Sequence, residues 1–213
     1  MNARTLASSL VLVVSGLGGQ TALAQNDHFE FTTAYFGLDF GSVSADANFV
    51  AGSGSGAADI DSALAPSLAW GVKNNYAAFA FEYYQADFDI NNFNANGTTQ
   101  AVRDEFKALY YSGYWTPRIL TNVHGIVGAG VGFGYQTVEG GIFDRAEDGT
   151  FTYKFTLGLE YYLFPRLSVY GTYEALFVGD AEDEARASDT VVDFEMNDFD
   201  LSRFAAGVRY YLR

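Results

Sequence analysis

Residues 151–163 alternate. Phe151, Tyr153, Phe155, Leu157, Leu159, Tyr161 and Leu163 are apolar or aromatic, with Thr152, Lys154, Thr156, Gly158, Glu160 and Tyr162 between them. A period of two places successive side chains on opposite faces of a β-strand. The pattern returns in 167–177, where Leu167, Val169, Gly171, Tyr173, Ala175 and Phe177 alternate with Ser168, Tyr170, Thr172, Glu174 and Leu176. It returns again in 204–212, where Phe204, Ala206, Val208, Tyr210 and Leu212 face away from Arg203, Ala205, Gly207, Arg209 and Tyr211. In 127–135, Val127, Ala129, Val131, Phe133 and Tyr135 alternate with Gly128, Gly130, Gly132 and Gly134. A glycine stripe on one face predicts a narrow interior that a neighbour's bulky side chains fill.

Four less regular segments, 29–41, 64–73, 76–88 and 103–115, bring the predicted strands to eight. Leu64, Pro66, Leu68, Trp70 and Val72 are expected outward on the second strand. On the third, Phe79, Phe81 and Tyr83 are expected outward, with Glu82 and Tyr84 inward. The first and fourth can be phased either way.

The connections alternate as well. Those after strands two, four and six are short: Asn74-Asn75, Thr116-Pro117-Arg118 and Pro165-Arg166. Those after strands one, three, five and seven are long and polar, at 42–63, 89–102, 137–150 and from 179 to 190 or beyond. Short periplasmic turns and long extracellular loops are the signature of an outer-membrane barrel; a soluble sandwich has no reason to sort its loops this way. Acidic residues crowd the fourth long loop: Asp180, Glu182, Asp183, Glu184, Asp189, Asp193, Glu195, Asp198 and Asp200 stand against Arg186 alone. Lys73, Arg118, Arg166 and Arg213 lie at the opposite end. Trp70, Trp115, Tyr161, Phe164, Tyr210 and Tyr211 bracket strand ends, where amphipathic rings suit a membrane interface.

The N-terminus is of another kind. Arg4 precedes an apolar stretch over 6–17, and Ala22-Leu23-Ala24 offers small residues for cleavage before Gln25. This predicts a signal peptide over 1–24 and a mature barrel domain over 25–213, about 190 residues and one domain. No mature segment has the long apolar run of a membrane helix. A membrane-spanning reading therefore requires a closed barrel, the other structure that satisfies every backbone polar group in lipid. The fold class expected is all-β, an eight-stranded antiparallel up-and-down transmembrane β-barrel with both termini periplasmic.

Composition narrows the chemistry. The 213 residues include no cysteine, which excludes disulfides, thiolate metal sites and a cysteine nucleophile. The formal net charge of −14 argues against a nucleic-acid partner. A soluble lipid-carrying barrel would show the same alternation with the apolar face inward. The ionic face decides against it: Lys154, Glu160, Glu174, Arg203 and Arg209 can pair within a small lumen, while the opposite face is nearly free of charge over the same strands.

In these features the chain resembles the small outer-membrane barrels of the OmpA/OmpX/OmpW type, within the porin-family outer-membrane β-barrel-domain proteins. The residues that carry the resemblance are Ala22-Leu23-Ala24, the strand Val127-Gly128-Ala129-Gly130-Val131-Gly132-Phe133-Gly134, and the alternation from Phe204 to Leu212. The resemblance implies the cell outer membrane of a Gram-negative bacterium as location, export through the periplasm, and insertion by the barrel-assembly machinery. That machinery reads a terminal aromatic, most often Phe; this chain ends Tyr210-Tyr211-Leu212-Arg213. No OmpA-like peptidoglycan-binding domain is expected after it.

The candidate site is an ionic network inside the barrel, structural in role: Glu82, Lys107, Lys154, Glu160, Glu174, Arg203 and Arg209. Lys154 and Glu174 are about equally far from Pro165 and are expected to pair across the hairpin; Glu82 and Lys107 pair similarly if Lys107 points inward. An eight-stranded lumen is about wide enough for side chains alone, and a buried charge needs a partner. The other reading of these ions is a polar lining for a narrow solute path. Catalysis would need a histidine beside a nucleophile; the histidines, His28 and His124, are expected near the periplasmic end, away from Ser168 and Ser202. Asp193, Glu195, Asn197 and Asp198 offer hard oxygen ligands for Ca²⁺ or Mg²⁺, which could bridge to lipopolysaccharide phosphates, but a solvated loop face is the simpler and favoured reading. No catalytic residue, metal site or cofactor is assigned. Asn96-Gly97-Thr98 matches a glycosylation sequon by chance, and the Gly/Ser run over 51–58 reads as a loop tip.

The function expected is that of a non-enzymatic, monomeric outer-membrane barrel with a structural or surface-interaction role, in contact with outer-membrane lipid and lipopolysaccharide. The alternatives are a narrow porin-like channel for small or hydrophobic solutes and, further off, a lipid-modifying outer-membrane enzyme.

Overall fold

The computed structural model describes residues 32–51, 54–57, 59–60, 63–95, 98–140, 143–179, 181–187 and 190–212. The expected signal peptide and His28 lie outside them. Eight long strands form the wall: β1 Thr33–Ala51, β2 Ala63–Lys73, β3 Ala77–Ala95, β4 Thr98–Trp115, β5 Val123–Gly140, β6 Phe143–Phe164, β7 Leu167–Val178 and β8 Thr190–Leu212. Each pairs antiparallel with the next, and β8 returns to pair with β1, from Ala34 opposite Leu212 to Ala51 opposite Phe194. The result is a closed eight-stranded antiparallel barrel. Closure leaves the wall without a free edge between its first and last strands.

Alternation sets the two faces. Phe36, Leu38, Phe40, Trp70, Phe81, Leu109, Val131, Phe155, Leu157, Phe204 and Val208 are exposed on the outer face. An exposed apolar belt of this extent is a lipid-facing surface. The phase left open in the first and fourth strands is now fixed. Tyr35, Asp39 and Val43 of β1 are buried inside, as are Asp104, Phe106, Ala108, Tyr110, Ser112 and Tyr114 of β4.

The turns behave largely as their residues dictate. At the β2–β3 link, the Asn74 side-chain carbonyl accepts from the backbone N–H groups of Tyr76 and Ala77, both at 2.8 Å, an Asx-type turn. Pro165 and Arg166 make the tight β6–β7 link. The β4–β5 link differs from the expected three residues. A short strand, Arg118–Leu120, follows Pro117 and folds back on the start of β5, with the turn at Thr121 and Asn122. Pro117 cannot donate to a ladder, but its carbonyl accepts from Gly125 N at 2.8 Å.

The expected long loops are largely strand. β3 and β4 pair up to Ala95 opposite Thr98, and β5 and β6 up to Gly140 opposite Phe143. Polar composition signals a solvated segment but does not prevent two neighbouring arms from satisfying each other's backbone groups. Short segments continue the pairing elsewhere: Gly54–Ala57 with β1, Asp59–Ile60 with β3 and Ala181–Ala187 with β8. The sorting of connections therefore survives in altered form, as tight turns at one end and long hairpin arms at the other.

Candidate functional site

The interior is built by packing one strand's bulk into its neighbour's absence of side chain. On β5, Gly128, Gly130, Gly132 and Gly134 lie against β4. A Cβ on Gly132 would sit 2.7 Å from the Tyr110 ring, and one on Gly134 2.8 Å from the Phe106 ring. The same stripe faces Tyr114 and Ser112. These glycines let the large β4 side chains lean across the lumen.

Toward the short turns the filling is ionic. Glu160, fully buried, accepts from Lys73, from Ser168 Oγ at 2.6 Å and from Tyr211 Oη at 2.5 Å, with Arg209 at 3.5 Å. Arg209 stacks over the Tyr170 ring at 4.2 Å, and Tyr170 Oη donates to Asp39 at 2.7 Å. Asp39 pairs with Arg203, which also donates to Glu174 at 2.9 Å and to the Ala65 carbonyl at 3.0 Å. Glu174 lies 3.5 Å from Lys154, whose ammonium also meets Glu82. Glu82 further accepts from Ser112 Oγ at 2.8 Å and from the Tyr114 hydroxyl. Lys73, Lys154, Arg203 and Arg209 thus balance Asp39, Glu82, Glu160 and Glu174, four charges of each sign in one connected chain. Aromatic faces take up the cations as well: Lys154 lies over Tyr110 at 5.2 Å and Arg203 over Tyr84 at 5.3 Å.

Toward the hairpin end the filling, among the described residues, is largely apolar. Val43, Ala65, Ala86, Phe88, Phe106, Leu176, Val178 and Leu201 are all buried there. Tyr84 meets Phe106 edge-on at 5.9 Å between the two tiers. Asp104, paired with Gln136 at 2.6 Å, is the carboxylate of this upper tier among the described residues.

Of the seven expected network residues, six lie inside and interact. Lys154 and Glu174 meet diagonally, because the ladder sets Glu174 opposite Thr156 and Lys154 opposite Leu176. Lys107 is a correction. β4 turns its even-numbered residues inward, so Lys107 stands on the outer face and pairs with Glu105 of its own strand at 2.8 Å. Glu82 takes Lys154 in its place. Two members were missed. Asp39 sits on the strand whose phase was ambiguous. Lys73 was assigned to the basic rim because it adjoins the Asn74 turn, yet its side chain is buried on Glu160, 87 residues away in sequence. For Asp39 the signal was an inward parity that only a settled strand phase could reveal; for Lys73 that parity was already legible, since Trp70 and Val72 face outward on the same strand.

Ser168 and His124 lie nearer to each other than expected: His124 stands opposite Glu160 in the β5–β6 ladder, and Ser168 stands opposite Tyr162 in the β6–β7 ladder, so both adjoin Glu160 near the short turns. The Ser168 hydroxyl donates to Glu160, while His124 is buried against the Tyr162 ring at 5.1 Å. Among the described residues, no group of three or more His, Cys, Asp and Glu is placed to hold a metal ion. Asp193, Glu195, Asn197 and Asp198 lie outside the described side chains.

No protein-family model matches the chain, and no curated protein matches it in sequence. Solved structures do match. The crystal structure of Neisserial surface protein A aligns with a TM-score of 0.55 and 17% identity, over 85% of this chain and 99% of that one. The fold is that of the small outer-membrane barrels. The solid-state NMR structure of outer membrane protein AlkL, in DMPC bilayers, aligns with a TM-score of 0.56 and 15% identity, over 92% of this chain and 97% of that one. OprG from Pseudomonas aeruginosa gives 0.56 and 10%, over 87% and 99%. Identities this low carry the architecture; a fold hosts many functions, and the task must be argued from the site.

Proposed function

We propose that this chain is a closed barrel of the Gram-negative outer membrane, exported by its signal peptide, with a structural or surface-interaction role and no enzymatic activity. The observation that carries this reading is the filled lumen. Arg203, Tyr35, Tyr110, Tyr211, Lys73, Phe88, Phe106, Ile126 and Leu176 are the largest fully buried side chains among the described residues, and they occupy the interior at successive levels from the short turns toward the hairpin arms. A solute path would need room where these groups meet. The long hairpin arms at the end away from the short turns supply the surface that such a barrel offers to partners.

The outer face supports a lipid setting. Just beyond the apolar belt, β3 and β4 carry the exposed pairs Arg103–Asp87 at 3.4 Å and Lys107–Glu105 at 2.8 Å, with Gln85 donating to Glu105 at 3.0 Å. Charged groups at that level suit lipopolysaccharide headgroups. The alternation from Phe204 to Leu212 suits recognition by the barrel-assembly machinery, and the pairing of β8 with β1 completes the wall within one chain, in keeping with a monomer.

Planar-bilayer recording on refolded protein tests the reading. It predicts no reproducible conductance steps; discrete, repeatable steps would favour the channel reading. Lipid A mass analysis with and without the protein addresses catalysis. Unchanged species are expected, and a new species lost on replacing His124 would contradict the non-enzymatic role.

A further inference from the structure

One carboxyl among the described residues of the upper tier is out of keeping with its apolar neighbours. Asp104 is buried at the hairpin end of the lumen, directly opposite Phe88 of β3 and next to Phe106 of its own strand. One carboxyl oxygen accepts from Gln136 Nε2 of β5 at 2.6 Å. The other, Oδ1, is buried with no hydrogen-bond partner among the described residues. Among the described side chains, the charged neighbours point the other way. Arg103 and Glu105 on β4, Asp87 and Asp89 on β3 and Glu139 on β5 are on the outer face, and across the lumen β6 and β7 present Thr150 and Val178. Among these described neighbours, none offers an ionised Asp104 a counter-charge, and an uncompensated buried carboxylate is costly.

We propose that Asp104 is a protonation switch for the hairpin end of the barrel: as a neutral acid it fits the apolar tier, and as a carboxylate it loosens the packing of the β3, β4 and β5 arms around it. Asp104 stands above the membrane belt, since the exposed charges of Arg103, Glu105 and Asp87 flank it on the outer face. Burial pushes its carboxyl up from 3.8 to about 7, opposed by the hydrogen bond from Gln136. A carboxyl raised on folding stabilises nothing when charged. The packed arms are at full stability below the unfolded value and lose it as pH rises toward the folded one, after which no further change occurs. Each unit of such a shift is worth about tenfold in the closed-to-open ratio.

Hydrogen exchange of β3, β4 and β5 amides, on full-length protein refolded in detergent micelles, tests the switch. After correction for intrinsic exchange rates, protection of the upper arms should fall roughly tenfold or more between pH 5.5 and pH 8, while amides of the ionic tier keep theirs. Asp104→Asn keeps the shape and the acceptor for Gln136 and should hold protection level across that range. The carboxyl carbon of Asp104, followed by NMR, should titrate near 7. A midpoint near 4, or the same pH profile in wild type and Asp104→Asn, would overturn the proposal.

Discussion

The lower and upper halves of the interior solve one problem with opposite chemistry. Below, Glu160, Arg209, Asp39, Arg203, Glu174, Lys154 and Glu82 meet partners on other strands, some on the neighbouring strand and some across the lumen. Above, Val43, Phe88, Phe106, Leu176, Val178 and Leu201 pack without regard to partner identity. A buried ion must find a counter-ion, so each pair in the lower tier rewards one register of the wall and penalises others. Apolar packing fills volume and tolerates rearrangement. The lower tier therefore specifies how the strands align, and the upper tier seals the end from which the hairpins emerge.

The sharpest way to break this contrast is Arg203→Met. It leaves both Asp39 and Glu174 without their guanidinium, and should cost about 5 kcal/mol, the upper end for orphaning a buried charge. Adding Asp39→Asn and Glu174→Gln should recover much of that loss, since neutral partners remove the desolvation penalty. Urea unfolding of the refolded barrel, followed by tryptophan fluorescence, reads both. Leu176→Ala in the upper tier should cost about 3 kcal/mol through the cavity it leaves, and no change of charge elsewhere should rescue it. Gly132→Val should cost about 2 kcal/mol by overpacking against Tyr110, seen as a lower denaturant midpoint with the slope unchanged. Lys107→Gln breaks an exposed pair and should move the midpoint by less than about 1 kcal/mol. A large effect there would mean that Lys107 belongs to the interior after all.

Much of this arrangement can be read from the chain, and the parts that cannot share a physical cause. Period-two alternation around Lys154, Glu160, Glu174, Arg203 and Arg209 tells which way each side chain points, because a strand in a barrel wall has two faces and only one suits lipid. It does not tell which ions meet. That depends on the stagger of the closed wall, which sets Arg203 against Asp39 across 164 residues and Lys73 against Glu160 across 87. The phases of β1 and β4 were ambiguous because both of their faces carry large apolar side chains: Tyr110 and Tyr114 turn inward, and Leu109, Tyr111 and Trp115 outward. This is why Asp39 was missed and Lys107 misplaced. The hairpin arms were hidden for a different reason, since their sequence is rich in polar and small residues without a period of two, which reads as loop.

The central claim is that the lumen is closed along both tiers. The chain has no cysteine, so single substitutions can probe it cleanly. Thr156→Cys places a thiol in the ionic tier and Thr152→Cys places one in the apolar tier, both at buried positions, while Thr121→Cys marks an exposed turn. With a small, charged, membrane-impermeant thiol reagent applied to refolded protein in liposomes opened to both sides, Thr121→Cys should label fully and the two lumenal variants should stay unlabelled on the same timescale. Labelling of either lumenal cysteine at a rate near that of Thr121→Cys would show a water-filled path and contradict the account.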